Sequence, residues 1–205
     1  MGATKPGAQR TGEPCGYWDD WENFCRFVRA RLRSRVKPTL VSPAVAVAPA
    51  DLVFDSLNGE GYPLRDWLTS YPFLLVAIDP YTHESAWILE TAGRVLDHYS
   101  SADVRVGWVA TTDSDGCRQF LGPWSDSYLT FPDPNRELVK ALGVERLPAL
   151  LFIRNDGAME VVDGWDPTAW RRVAEGVSGL LSWSRPIVPR PGDPTPYTGT
   201  PVDGD

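Results

Sequence analysis

The chain has 205 residues, of which 42% are hydrophobic and 23% charged, so it can bury a core and wholesale disorder is excluded. A net charge of −7 argues against a general nucleic-acid binder, because neutralising phosphates needs a positive face. The longest apolar candidate, Val41 to Val53, is broken by Pro43, Pro49 and Asp51, well short of the roughly 18 residues a membrane span requires.

Residues 1–16 are polar, aperiodic and punctuated by glycine and proline, and read as a disordered arm. They carry no apolar stretch of the secretory type, which leads to the expectation of a cytoplasmic protein. Over residues 17–38 the pattern changes. Trp21, Cys25, Val28 and Leu32 recur at helical spacing, and Pro38 stops the run. Its second half gathers Arg26, Arg29, Arg33 and Lys37, a basic contact face at a helix C-terminus, where cations suit the dipole. Residues 39–50 are a linker rich in small side chains and proline.

From Asp51 onward strand and helix alternate, which predicts an α/β domain over residues 51–185. Asp51 to Asp55 leads into a turn at Asn58-Gly59, then a short strand and helical turn from Tyr62 to Leu68. Phe73 to Ile78 is apolar throughout, as a central parallel strand requires. A helix follows over His83 to Tyr99, with Trp87, Thr91, Val95 and Tyr99 on one stripe and Ile88 beside it. Further strands are expected at Val104 to Ala110 and Tyr128 to Phe131, with a helix through Gly116 to Leu121 between them. Pro134 to Leu142 reads as a helix with Asp133 as its N-cap. Ala149 to Ile153 and Met159 to Val162 form a hairpin through Asn155-Asp156-Gly157, and Asp166-Pro167 opens a last helix to about Trp183. Residues 186–205 hold five prolines beyond Pro186, with few aliphatic side chains, and read as a disordered tail that only a partner chain would hold.

Three stretches give this order a resemblance: Ala48-Pro49-Ala50-Asp51-Leu52-Val53-Phe54, Phe73 to Tyr99, and Ala141 to Ile153 with Leu147-Pro148 inside it. They resemble the redoxin branch of the thioredoxin-like superfamily, from about Ala48 to Trp183. The resemblance implies a thioredoxin-like fold, a mixed sheet with flanking helices, preceded here by the amphipathic helix. It implies a cis bond before Pro148, facing the active-site loop, and a groove between the two that takes extended peptides. That groove is lined by Pro80, Tyr81, Thr82, His83, Ser85, Leu147 and Pro148.

The redox chemistry of the family is missing from these positions. Thr82 and Ser85 fall where the resemblance places two cysteines, and Ser85 also replaces the peroxidatic cysteine in the alternative alignment. A hydroxyl cannot form a disulfide or supply a thiolate. Val76 stands in place of the buried aspartate, and Leu147 in place of the small residue before the cis proline. Cys15, Cys25 and Cys117 form no C-x-x-C pair, and with His83 and His98 they give no zinc spacing. Cys117, near the start of a helix, is the one route left to thiol chemistry. Neither a cofactor, a metal nor a catalytic residue is expected. The expectation is a redox-inactive protein that binds other proteins through the old active-site face, the N-terminal helix or the tail, as a chaperone, assembly or accessory factor. The alternatives are a divergent thiol oxidoreductase or peroxiredoxin-like enzyme, and a structural subunit of a larger complex.

Overall fold

A strand that is apolar at every position must be covered on both faces. The computed structural model, which describes residues 2, 46–59 and 61–203, places Phe73–Ile78 (β4) inside a six-stranded sheet. The basic face expected at Arg26, Arg29, Arg33 and Lys37 lies outside the described residues, as do the arm and most of the linker. The strand order is β1-β9-β8-β4-β5-β6. Here β1 is Ala46–Val47, β5 Arg105–Ala110, β6 Leu129–Pro132, β8 Ala149–Ile153 and β9 Ala158–Asp163. Strands β4, β5 and β6 run parallel, and β8, β9 and β1 extend the sheet antiparallel from the other side of β4. A small hairpin of Val53–Asp55 (β2) and Gly61–Pro63 (β3) precedes the sheet.

Side chains alternate across a strand, and this splits the core in two. Leu74, Val76 and Ile78 join Trp108, Leu150 and Phe152 beneath helices α2 (His83–Tyr99) and α6 (Pro167–Leu181). Phe73, Leu75 and Ala77 join Val109, Leu151 and Ile153 on the other face, covered by Phe54, Phe131 and Leu64. Leu64 belongs to the one-turn helix α1 (Leu64–Trp67). Helices α3 (Ser114–Leu121) and α4 (Trp124–Ser127) link β5 to β6, and α5 (Glu137–Ala141) follows β6.

Most helix and turn signals act as read. Asp166 caps α6 by accepting from the Thr168 amide at 2.9 Å. Gly157 takes φ +81°, the left-handed conformation that closes the β8–β9 hairpin. Two readings need correction. On α2 Ile88, Thr91, Val95 and Tyr99 are buried as expected, joined by Ala92 and Leu96, whereas Trp87 is 58% exposed. The helix expected from Pro134 begins only at Glu137, because Arg136 adopts φ +60° and interrupts the turn. Asp133 still serves it, accepting from the Val139 amide at 3.0 Å.

The larger correction concerns residues 186–205, expected to be disordered. Those up to Asp203 follow a defined path over the domain itself. Val188 is buried beside α2 and α6, and Arg94 clamps the Asp193 carboxylate through Nη2 at 2.7 and 2.8 Å. Burial alone would raise the Asp193 carboxyl; hydrogen bonds from the Arg190 amide, Arg94 and Thr91 hold it below its usual value. Trp165 and Tyr197 exchange backbone hydrogen bonds at 2.9 and 3.1 Å. Thr200–Pro201 (β10) then pairs antiparallel with Arg146–Leu147 (β7), and Val202 is buried in the second core layer. The tail is poor in apolar residues, but the two valines it has are both inserted, and its polar backbone is paired.

Each buried valine is worth roughly 1.5–3 kcal/mol, and 1 kcal/mol moves the Tm of a domain this size by about 2–4 °C. Truncation after Arg185 is therefore expected to lower the Tm by on the order of 10 °C in a thermal melt. A shift below about 2 °C would show that the tail adds nothing to the fold.

Candidate functional site

The loop between β4 and α2 begins with an acid that has nowhere to point but inward. Asp79 follows six apolar strand residues and is itself buried, so its carboxylate needs partners. Oδ1 accepts from the Tyr81 amide at 3.0 Å, and Oδ2 from Arg136 Nη2 at 2.8 Å. The Asp79 amide donates to Ser85 Oγ at 2.9 Å. The Thr82 hydroxyl donates to the Asp79 carbonyl at 2.9 Å and lies 3.1 Å from Ser85 Oγ. Thr82 occupies the N-cap of α2, yet its side chain turns back into the loop rather than capping the helix. Thr82 and Ser85 therefore form a closed hydroxyl network at the place where the resemblance puts a thiol pair.

Around this network the surface is aromatic. Tyr81 is 80% exposed, and beyond its amide its hydroxyl is held 3.0 Å from Thr112 Oγ1. His83 stacks on Trp87 at 6.4 Å between centroids, and Trp87 meets Tyr197 edge to face at 5.9 Å. Among the described residues no hydrogen bond joins the His83 imidazole to Thr82 or Ser85, so no hydroxyl nucleophile is assembled there. Trp124 takes no part in this cluster; it packs on Trp108 at 6.1 Å.

Across the loop, the Leu147–Pro148 bond is cis. Both residues are buried, Leu147 within the second core layer. The backbone beside them does not face solvent. β10 lies along β7, with Thr200 opposite Leu147 and Pro201 opposite Arg146, and the Val202 amide donates to the Glu145 carbonyl at 2.9 Å. Arg146 donates from Nε and Nη2 to the Gly199 carbonyl at 3.1 and 2.9 Å. The Tyr197 hydroxyl reaches the Glu84 carbonyl at 2.6 Å, and burial pushes its pKa up, with the Glu84 charge adding to the effect. Of the residues expected to line a groove, Tyr81 and His83 are exposed, Pro80 and Thr82 half-buried, and Ser85, Leu147 and Pro148 buried; the tail pairs with the backbone at Leu147 and reaches the head of α2 through Tyr197.

Cys117 sits on α3 as a fully buried thiol. Burial pushes its pKa up to about 11, with Asp113 raising it further and Arg118 opposing. It is therefore a thiol rather than a thiolate at neutral pH. Among the described residues no cluster of three or more His, Cys, Asp or Glu side chains is placed to hold a metal. Nor is any helix among them long and apolar enough to cross a membrane.

Asp79, Arg136, Gly199 and Val202 went unread in the sequence. Asp79 had one signal, an acid directly after a wholly apolar strand, which implies a buried cation partner. Arg136 had none.

A central sheet with this order, a cis proline facing the β4–α2 loop, and helices on both faces decide the architecture. The chain has a thioredoxin-like fold. No family model matches the sequence, and no curated protein does. Solved structures match it well. A putative thiol:disulfide interchange protein DsbE from Chlorobium tepidum aligns with TM-score 0.54 at 16% identity, over 67% of this chain and 99% of its own. DsbF of Mycobacterium tuberculosis aligns with TM-score 0.53 at 20% identity, over 65% of this chain and 98% of its own. The bacterioferritin comigratory protein of Xanthomonas campestris, a structure concerned with alkyl peroxide reduction, gives 0.52 at 14% identity, over 67% and 96%. At such identities the likeness is one of thioredoxin-like fold.

Two outcomes follow from this geometry. Asp79→Asn removes the charge facing Arg136, whose partial exposure softens the loss, so about 1–2 kcal/mol of stability is expected to disappear in urea denaturation. Arg136→Ala combined with it should cost less than the sum of the two. In a Cys15→Ser/Cys25→Ser background, Cys117 is expected to react with a disulfide reagent at pH 8 only after unfolding. Because its folded pKa is raised, its contribution to stability is complete below the ordinary value of 9.0 and lost as pH rises toward about 11. Rapid labelling of the native protein at pH 8 would contradict the burial.

Proposed function

We propose that this chain is a redox-inactive thioredoxin-like protein of the cytoplasm that binds other proteins, as a chaperone, assembly or accessory factor. The observation that carries this reading is the loop at Asp79–Ser85. Hydroxyls stand where a thiol pair belongs, and they are hydrogen-bonded to one another and to the Asp79 backbone. Cys117, the one cysteine among the described residues, is a buried thiol protonated at neutral pH, which speaks against it as an attacking sulfur. What the site presents outward is contact surface: Tyr81, His83 and Trp87, aromatic side chains of the kind enriched at protein interfaces.

The test has two arms. The purified protein is expected to show no insulin reduction and no peroxide consumption above a no-enzyme control. Turnover that disappears in Cys117→Ser would establish the divergent oxidoreductase instead. In affinity capture, the wild-type chain should retain a partner that a Tyr81→Ala/His83→Ala variant of unchanged Tm loses; equal retention would move the interface away from this face.

A further inference from the structure

The tail meets the groove with complementarity at Thr198, Gly199, Val202 and Asp203. Gly199 has φ +77°, and a Cβ there would lie 2.4 Å from the Leu147 carbonyl oxygen, so only glycine fits. Gly164, on the opposite wall, would place a Cβ 2.6 Å from the Thr198 carbonyl oxygen, so it too leaves room for the crossing chain. Three residues after Gly199, Val202 is 3% exposed within the layer that contains Leu138, Val139, Leu142 and Val144. Arg136 donates to the Val202 carbonyl, and Lys140 Nζ lies 2.7 Å from the Asp203 carboxylate, whose pKa it lowers. Arg146 holds the Thr198 and Gly199 carbonyls.

This is how strand addition reads a peptide: backbone pairing supplies the affinity, and a few side-chain positions supply the selection. Here the selected pattern is a glycine, an apolar side chain three residues on, and an acid directly after it. The occupied seat is also shallowly held. Its pairing partner is the two-residue β7 and not the central sheet, the Lys140–Asp203 pair is solvent-exposed, and among the described residues Val202 is the only buried one after Val188. The upstream anchors at Val188 and Asp193 do not depend on it, and Pro194 to Pro196 separate the two. A segment with so little buried apolar surface and so short a strand pairing opens locally at far lower cost than the domain unfolds.

We propose that residues 197–203 are a resident ligand of this groove, exchangeable with an extended partner segment that carries the same glycine, apolar and acidic pattern. The proposal rests on the protein-binding reading above and adds to it the class of partner and its regulation: the chain's own tail competes in cis with the segment offered in trans. Thr-Pro-Tyr-Thr-Gly-Thr-Pro-Val-Asp-Gly-Asp, the sequence of residues 195–205, is then itself a ligand when the cis copy is expelled.

Fluorescence anisotropy with that labelled peptide tests it on the full-length chain. Gly199→Val expels the cis strand and is expected to bind the peptide at least tenfold more tightly than wild type, while a peptide with valine at the same glycine binds neither. A folded Gly199→Val chain that does not bind, or that binds both peptides equally, overturns the proposal. Hydrogen exchange on the unaltered protein decides it independently of that variant's folding. The Val202 amide should exchange at least a hundredfold faster than the amides of β4; equal protection would make β10 a permanent element and exclude exchange. Partner capture that still depends on Tyr81 and His83 while the peptide fails would leave the protein-binding reading intact and remove only this inference.

Discussion

One guanidinium joins the three segments that define the site. Arg136 donates to the Asp79 carboxylate at the end of β4 and to the Val202 carbonyl in the tail, while standing at the entry of α5. A buried carboxylate at a strand end is costly unless a cation meets it. Arg136, which meets it, has its backbone outside the helical region at φ +60°, and α5 begins at Glu137. The loop, the start of a helix and the seat of the tail therefore meet at one guanidinium.

The loop that this pairing closes is also held by its own hydroxyls. In an oxidoreductase of this architecture the helix N-terminus stabilises a thiolate. Here α2 begins at His83 with Thr82 before it, and the hydroxyls of Thr82 and Ser85 satisfy the loop's own backbone. Neutral groups satisfied by their neighbours have little reactivity to offer. What they do provide is a rigid support for Tyr81, His83 and Trp87, held beside a backbone edge already engaged in strand pairing.

The fold was legible from local signals because each is decided within a few residues. The unbroken apolar run at Phe73–Ile78 calls for a strand covered on both sides, Asp166-Pro167 starts a helix, and Asn155-Asp156-Gly157 closes a hairpin. On α2 Thr91, Val95, Tyr99 and Ile88 are buried as read, and only Trp87, large and apolar, stays exposed. Hydrophobicity names a candidate for burial; the helix's rotation against its neighbours selects which candidates are buried.

The sequence by itself determined the α/β order, the hydroxyl residues Thr82 and Ser85 at the head of the helix after β4, and the presence of a proline at the strand entry after Leu147, because these are properties of residues and their immediate spacing. Only the tertiary structure decided that Asp79 meets Arg136, 57 positions later in the chain, and that the proline-rich tail is held by its own domain. Composition weighs a segment's apolar content against its ordering cost as though it stood alone. The tail does not stand alone: two valines, one aspartate and two facing glycines are enough once a clamp, a core opening and an unpaired strand edge wait at matching distances. That match is between residues far apart in sequence, and no local reading contains it.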